Sequence, residues 1–80
     1  MNLIVKQTNT FKKTVKKLSK TQKLELDDAV KKIMIDPIIG EQKKGDLAFL
    51  RVYKFKMNKQ LTLLGYHFEE DLLVLTLLQL

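Results

Sequence analysis

The chain has 80 residues, 45% of them hydrophobic, which suits one small globular domain near the lower size limit for a self-supporting core and excludes a disordered segment. Its net charge of +6 comes from fifteen basic and nine acidic residues; with no cysteine, disulfides and thiolate metal sites are excluded and a reducing, cytoplasmic setting is expected. The apolar run after Met1 is too short for a signal peptide, and the nine residues Leu72–Leu80 are half of what a membrane-spanning helix needs, so no membrane association is expected.

In chain order, Leu3–Gln7 is a short β-branched run that reads as a strand. Thr8, Asn9 and Thr10 are all good helix N-caps, and Phe11, Val15 and Leu18 then recur at helical spacing to make one apolar stripe. Lys12, Lys13, Lys16, Lys17 and Lys20 cover the rest of this helix and repel one another at i, i+4, a repulsion that an anionic partner would relieve. Residues 1–24 carry seven lysines and no acid, whereas residues 60–80 carry three acids and no base. Such asymmetry points to a polyanionic partner, nucleic acid or an acidic protein segment, or else to a lysine-rich solubilising surface.

Thr21 is positioned to cap a second helix, with Leu26, Ala29, Val30 and Ile33 as its core face and Met34 alongside. Asp27 with Lys31, and Asp28 with Lys32, are oriented as favourable ion pairs. Asp36-Pro37 ends the helix, because the residue before proline is pushed out of the α region. The tight connection makes the two helices an antiparallel hairpin. A polar link over residues 41–44 and a turn at Gly45-Asp46 lead into a strand over Leu47–Met57. Asn58-Lys59 is a hairpin turn, Gln60–Phe68 the next strand, Glu69-Glu70-Asp71 a turn, and Leu72–Leu80 the last strand. Apolar residues hardly alternate in Leu61–Leu64 and Leu72–Leu78, as in strands covered on both faces; helices can cover one, and the other needs a partner, a second copy or more chain. The sum is an α+β domain: an N-terminal strand, a helical hairpin and a three-stranded antiparallel meander, with the helices on one face of the sheet.

Few residues could carry chemistry. One histidine, His67, and no cysteine leave no metal set and call for no cofactor. Ser19, the only serine, lies between the helices, and the three glycines are scattered, so neither a serine nucleophile motif nor a phosphate-cradling loop is present. Five of the fifteen basic residues fall within residues 43–56: Lys43, Lys44, Arg51, Lys54 and Lys56. On a strand, i and i+2 share a face, so Lys54 and Lys56 point the same way about 7 Å apart. There they can grip a phosphate and stabilise charge developing on it, or simply protect an edge strand against aggregation. Arg51 shares the face of Tyr53 on a regular strand and needs a bulge or an edge position to join the two lysines.

The stretches Asp36-Pro37-Ile38-Ile39-Gly40, Lys43-Lys44-Gly45-Asp46-Leu47 and Val52-Tyr53-Lys54-Phe55-Lys56, with a strand reaching Tyr66 and an aliphatic closing strand, resemble the RelE/ParE superfamily of small toxins from bacterial type II toxin–antitoxin systems. The resemblance extends over residues 1–80 as one toxin domain. It implies a metal-independent, ribosome-dependent mRNA endoribonuclease held in check by a cognate antitoxin in a hetero-oligomer. It also implies an alternative, poisoning of DNA gyrase, as in ParE-like members. Lys54 and Lys56 match the Lys-x-Lys pair of the RelE-like enzymes, with roles in proton transfer and phosphate stabilisation; Arg51 gains little from the match. Lys12, Lys13, Lys16, Lys17, Lys43 and Lys44 become contacts to nucleic-acid phosphates. Two features depart from the family pattern: Gln60-Leu61-Thr62-Leu63-Leu64 lacks the usual arginine, and no Gly-x-His-Glu-Asn-Phe-Tyr-Arg-like tail follows Leu80. The departures imply a truncated or degenerate member, whose remaining role would be to bind its antitoxin.

Overall fold

The computed structural model describes residues 3–79; the expected end of the last strand at Leu80 lies outside them, as do Met1 and Asn2. The elements are β1 (Ile4–Gln7), α1 (Asn9–Lys16), α2 (Lys20–Ile35), β2 (Glu41–Gln42), a 3-10 turn (Gly45–Leu47), β3 (Arg51–Met57), β4 (Gln60–Glu69) and β5 (Leu72–Gln79). The strands form one five-stranded sheet in the order β1-β5-β4-β3-β2. The expected antiparallel meander is present as β3-β4-β5, and β1 joins its edge parallel to β5, with Ile4 opposite Leu72 and Gln7 opposite Leu75.

α1 packs on β5 and α2 on β3, both on one face of the sheet. Between them lies the core: Phe11, Leu18, Leu26, Ala29 and Ile33 from the helical half, against Met57, Leu64, Tyr66, Leu73, Leu75 and Leu78 from the strands. Each of these large side chains contributes about 1.5–3 kcal/mol on burial, which outweighs the few tenths lost to each lysine–lysine repulsion along α1. Thr8 caps α1: its hydroxyl accepts from the Phe11 N–H at 3.2 Å and donates to the Thr76 carbonyl at 2.8 Å, so one side chain starts the helix and ties it to β5.

Several boundaries differ from expectation. Ser19, not Thr21, caps α2, because Gln22 stands three residues on and completes a capping box: its side chain accepts from the Ser19 N–H at 2.8 Å while Ser19 Oγ accepts from the Gln22 N–H at 3.2 Å. Met34 is exposed and lies outside the core. Neither Asp27–Lys31 nor Asp28–Lys32 closes into an ion pair; both pairs lie on the solvated side of α2, where holding two long side chains together gains little. The link over residues 41–44 contains a strand, since Glu41 and Gln42 pair with Val52 and Arg51.

β3 begins at Arg51, four residues later than its apolar sequence suggests. Gly45 takes φ +69°, a left-handed conformation natural to glycine, and the Ala48 and Leu50 N–H groups bond back to Gly45 and Leu47. The chain from Lys43 to Leu50 therefore folds over the sheet as a flap, closed at its base by Lys43 N–H donating to the Leu50 carbonyl at 2.9 Å. At the β3–β4 turn, Asn58 and Lys59 both have positive φ (53° and 67°), the twist that a two-residue hairpin demands.

Candidate functional site

The strand period of two divides β3 between the faces of the sheet. Met57 is buried on the helix side, and Tyr53 and Phe55 pack there with rings stacked at 6.0 Å and 14°. Lys54 and Lys56 are exposed and alternate toward the opposite, open face, beside Leu63 and Leu61 of β4, and Lys56 also borders an edge cleft with Glu25, Asp28 and Lys32 of α2. β2 pairs only with Arg51 and Val52, so among the described residues the β3 edge beyond Val52 has no strand beside it.

Between these lysines and His67 the open face is largely aliphatic. Leu61 and Leu77 are 60% and 44% exposed, with Leu63, Leu72 and Val74 half-buried. This accounts for the weak alternation of β4 and β5: the helices cover one face and, among the described residues, the flap covers part of the other. Under the flap is a pocket of about 200 Å³, walled by Leu47 and Leu50 above and by Val52, Leu63 and Leu77 of the sheet. Gly65 forms part of its floor; a Cβ there would stand 3.4 Å from Leu50 and Leu77, in ordinary contact with both. Lys43 and Lys54 both reach this pocket, and Lys43 is half-buried where Lys54 and Lys56 are exposed. The structure thus places Lys43, expected as a phosphate contact, at the pocket that Lys54 also lines. Only the fold of the flap brings it there, and no spacing rule in the sequence signals that.

Three hydrogen bonds hold the flap. Besides the Lys43–Leu50 closure, the Gln42 side-chain amide donates to the Ala48 carbonyl at 2.9 Å, and His67 Nδ1 lies 2.9 Å from the Phe49 carbonyl. A carbonyl only accepts, so Nδ1 carries the proton. His67 Nε2 then faces the Glu69 carboxylate at 3.4 Å, and the ring tilts against Phe49 at 6.2 Å. Among the described residues no group of three or more carboxylates and imidazoles is placed to hold a metal ion.

The other residues singled out in the sequence lie elsewhere. Arg51 has no bulge to turn it toward the open face: on the helix side, its guanidinium donates to the Gly40 carbonyl at 2.8 Å and the Ile38 carbonyl at 3.3 Å. Beside it, Tyr66 is fully buried, donating its hydroxyl proton to the Pro37 carbonyl at 2.7 Å and accepting from the Gly40 N–H at 2.9 Å. Burial pushes this hydroxyl above the ordinary tyrosine range; the Gly40 N–H and the Arg51 charge pull it back only in part. Together Tyr66 and Arg51 clamp the exit from α2, a role that nothing local in the sequence announces. Lys12, Lys13, Lys16 and Lys17 are all exposed on α1, on the helix side, away from Lys54 and Lys56; Lys44 is exposed next to Lys43.

Comparison with known proteins agrees with this architecture. The family model for the ParE-like toxin of type II bacterial toxin–antitoxin systems matches residues 5–80. A chain of the intact E. coli RelBE toxin–antitoxin complex superposes with a TM-score of 0.74 at 18% identity, covering 96% of this chain and 94% of that one. A double arginine-to-alanine mutant of E. coli toxin RelE, free or in complex with a peptide of the antitoxin RelB, superposes with a TM-score of 0.74 at 17% identity, covering 99% of this chain and 83% of the other. At these identities the likeness to solved structures is one of fold. No curated protein matches the sequence significantly.

Proposed function

Since this chain belongs to the ParE-like toxins of type II bacterial toxin–antitoxin systems, we propose that it acts in the cytoplasm as a metal-independent endoribonuclease that cleaves mRNA on the ribosome and is silenced by an antitoxin. The observation that carries this reading is the cationic surface on the open sheet face: Lys54 and Lys56 side by side, with half-buried Lys43 at the adjoining pocket. In such a reaction the ribose 2′-oxygen attacks the adjacent phosphorus and the bond to the 5′-oxygen breaks. The 2′-hydroxyl loses its proton to water, and the 5′-oxygen gains one. Ammonium groups on a rigid strand stabilise the charge on the phosphoryl oxygens, and one of them can supply the proton to the departing oxygen. The antitoxin is the expected partner because the superposed E. coli chains include a toxin–antitoxin complex.

The test is cleavage of a defined mRNA on translating ribosomes, read by primer extension. The wild-type chain should cut, and Lys54→Ala with Lys56→Ala should lower the rate on the order of a hundredfold or more. Intact mRNA with the wild-type protein, or full cleavage by the double variant, would remove this function. One observation favours a second reading, inhibition of DNA gyrase: β4 presents Leu61 and Leu63, not a cation, beside the two lysines. A supercoiling assay without inhibition would exclude it.

A further inference from the structure

The pocket beneath the flap has a composition that neither the fold nor the lysine pair requires. Its walls are aliphatic, yet two lysines reach it, and one of them, Lys43, is half-buried. The flap is held by its own backbone closure, by Gln42 and by His67, so the cavity is preformed. It is also incompletely filled: Leu47 and Leu77 remain 52% and 44% exposed at its mouth. The structure therefore asks for an occupant that combines a compact body with apolar faces and an anion attached directly to it.

We infer that this pocket takes one unstacked base of the bound RNA, seated between the flap leucines and the sheet, with its phosphate against Lys43 and Lys54. The inference rests on the RNA reading proposed above and deepens it. Bases splayed from a single strand are held between aromatic or apolar side chains and read along their edges. Leu47 and Leu50 supply one wall, Leu63 and Leu77 the other, and Gly65 leaves the floor open. Gln79, also at the pocket, is the one neutral polar side chain there able to read a base edge. A side-chain amide offers a donor and an acceptor together, the match for adenine N7 and N6, so adenine is the favoured base. Lys54 is shared between the pocket and the Lys54–Lys56 pair, so a base seated here places its own phosphate at the start of that surface.

The experiment measures binding of fluorescein-labelled single-stranded RNA hexamers whose third position is adenine, guanine, uracil or an abasic ribose, in a cytosine background. The adenine hexamer should bind about tenfold or more tightly than the abasic one. Leu77→Phe, which fills the pocket, should bring the adenine hexamer down to the affinity of the abasic one. Gln79→Ala should erase the preference for adenine over guanine and uracil but keep the preference for a base over none. Thermal melts of both variants confirm that they fold. Equal binding of adenine and abasic hexamers, or discrimination that survives in both variants, overturns the inference. So does binding of the acidic peptide Glu-Glu-Leu-Leu-Glu-Glu that no hexamer displaces, because the pocket would then be a protein-docking site. Base discrimination without ribosome-dependent cleavage would sink the nuclease function alone. Cleavage that depends on Lys54 and Lys56, with no penalty for an abasic position, would sink the pocket alone.

Discussion

At the scale of single residues, the exit from α2 carries the least tolerance for change. Gly40 is buried with its Cα facing the Tyr66 ring, and a Cβ there would sit 2.7 Å from the Tyr66 hydroxyl oxygen. Gly40→Ala must displace a hydrogen-bonded, fully buried tyrosine and should cost about 1–3 kcal/mol, read as a fall in denaturant midpoint. Gly45→Ala meets no neighbour, but its φ of +69° costs a side chain about 1–2 kcal/mol of backbone strain, so its midpoint should fall while the α2 exit stays intact. Tyr66 also gives the fold an alkaline limit. Its hydroxyl keeps its proton in the native state above the ordinary value of 10.0, so the native chain binds more protons than the unfolded one in that range. Stability is thus fully present below pH 10.0 and falls as pH rises through the raised native value. Tyr66→Phe should start less stable and lose this additional alkaline slope, a difference that urea unfolding between neutral pH and pH 11 would reveal. Of these residues, the sequence marks only Gly45, as a turn, just as it shows the facing of Lys54 and Lys56, because both signals are local. Gly40 and Tyr66 are 26 residues apart, and no local pattern joins them.

At the scale of elements, caps and turns decided where the chain departed from its pattern. α2 illustrates a choice between two plausible caps: Ser19 and Thr21 both have the right side chain, but only Ser19 has a glutamine three residues on to answer it. Ser19→Ala should cost about 1 kcal/mol, and Thr21→Ala, exposed within the helix, less than about 0.5 kcal/mol; equal effects would contradict the capping box. β3 fails differently. Leu47, Ala48, Phe49 and Leu50 are apolar enough to read as strand, but a left-handed Gly45 and two short backbone bonds turn them into the flap. An apolar run has no period of its own to separate these outcomes. β2, two residues long and polar, gives no strand signal, and it forms because the flap returns the chain alongside β3.

At the scale of the whole molecule, the element order and the one-sided packing of helices on a sheet follow from hydrophobic periodicity, whereas the place of β1 does not, since four residues can pair with any edge. Two surfaces of the assembled domain make separate predictions. The four lysines of α1 lie on the helix side, away from Lys54 and Lys56. If both surfaces touch RNA phosphates, replacing Lys12, Lys13, Lys16 and Lys17 with alanine should lower the salt dependence of RNA binding by roughly 0.7 in log–log slope per lysine and leave the base preference unchanged. An unchanged slope would confine RNA to the open face. The unpaired edge of β3 makes the second prediction: Lys54→Ala with Lys56→Ala removes the charges flanking it, and sedimentation should then show concentration-dependent association while the monomer keeps its melting temperature. A double variant that stays monomeric would mean the lysines owe nothing to edge protection. The pairing of β1 with β5 bears on how the molecule is made. Ile4 finds its partner at Leu72, and the Thr8 cap its acceptor at Thr76, 68 residues along the chain in each case. The first strand and first helix to leave a ribosome therefore wait, unanchored, until residues 72–76 have been made. Loop closure over that span is slow to pay back, so folding completes late, and a half-made chain exposes its core-facing stripe but has no assembled lysine surface. A toxin built in this order has no assembled surface to act with until its sheet has closed.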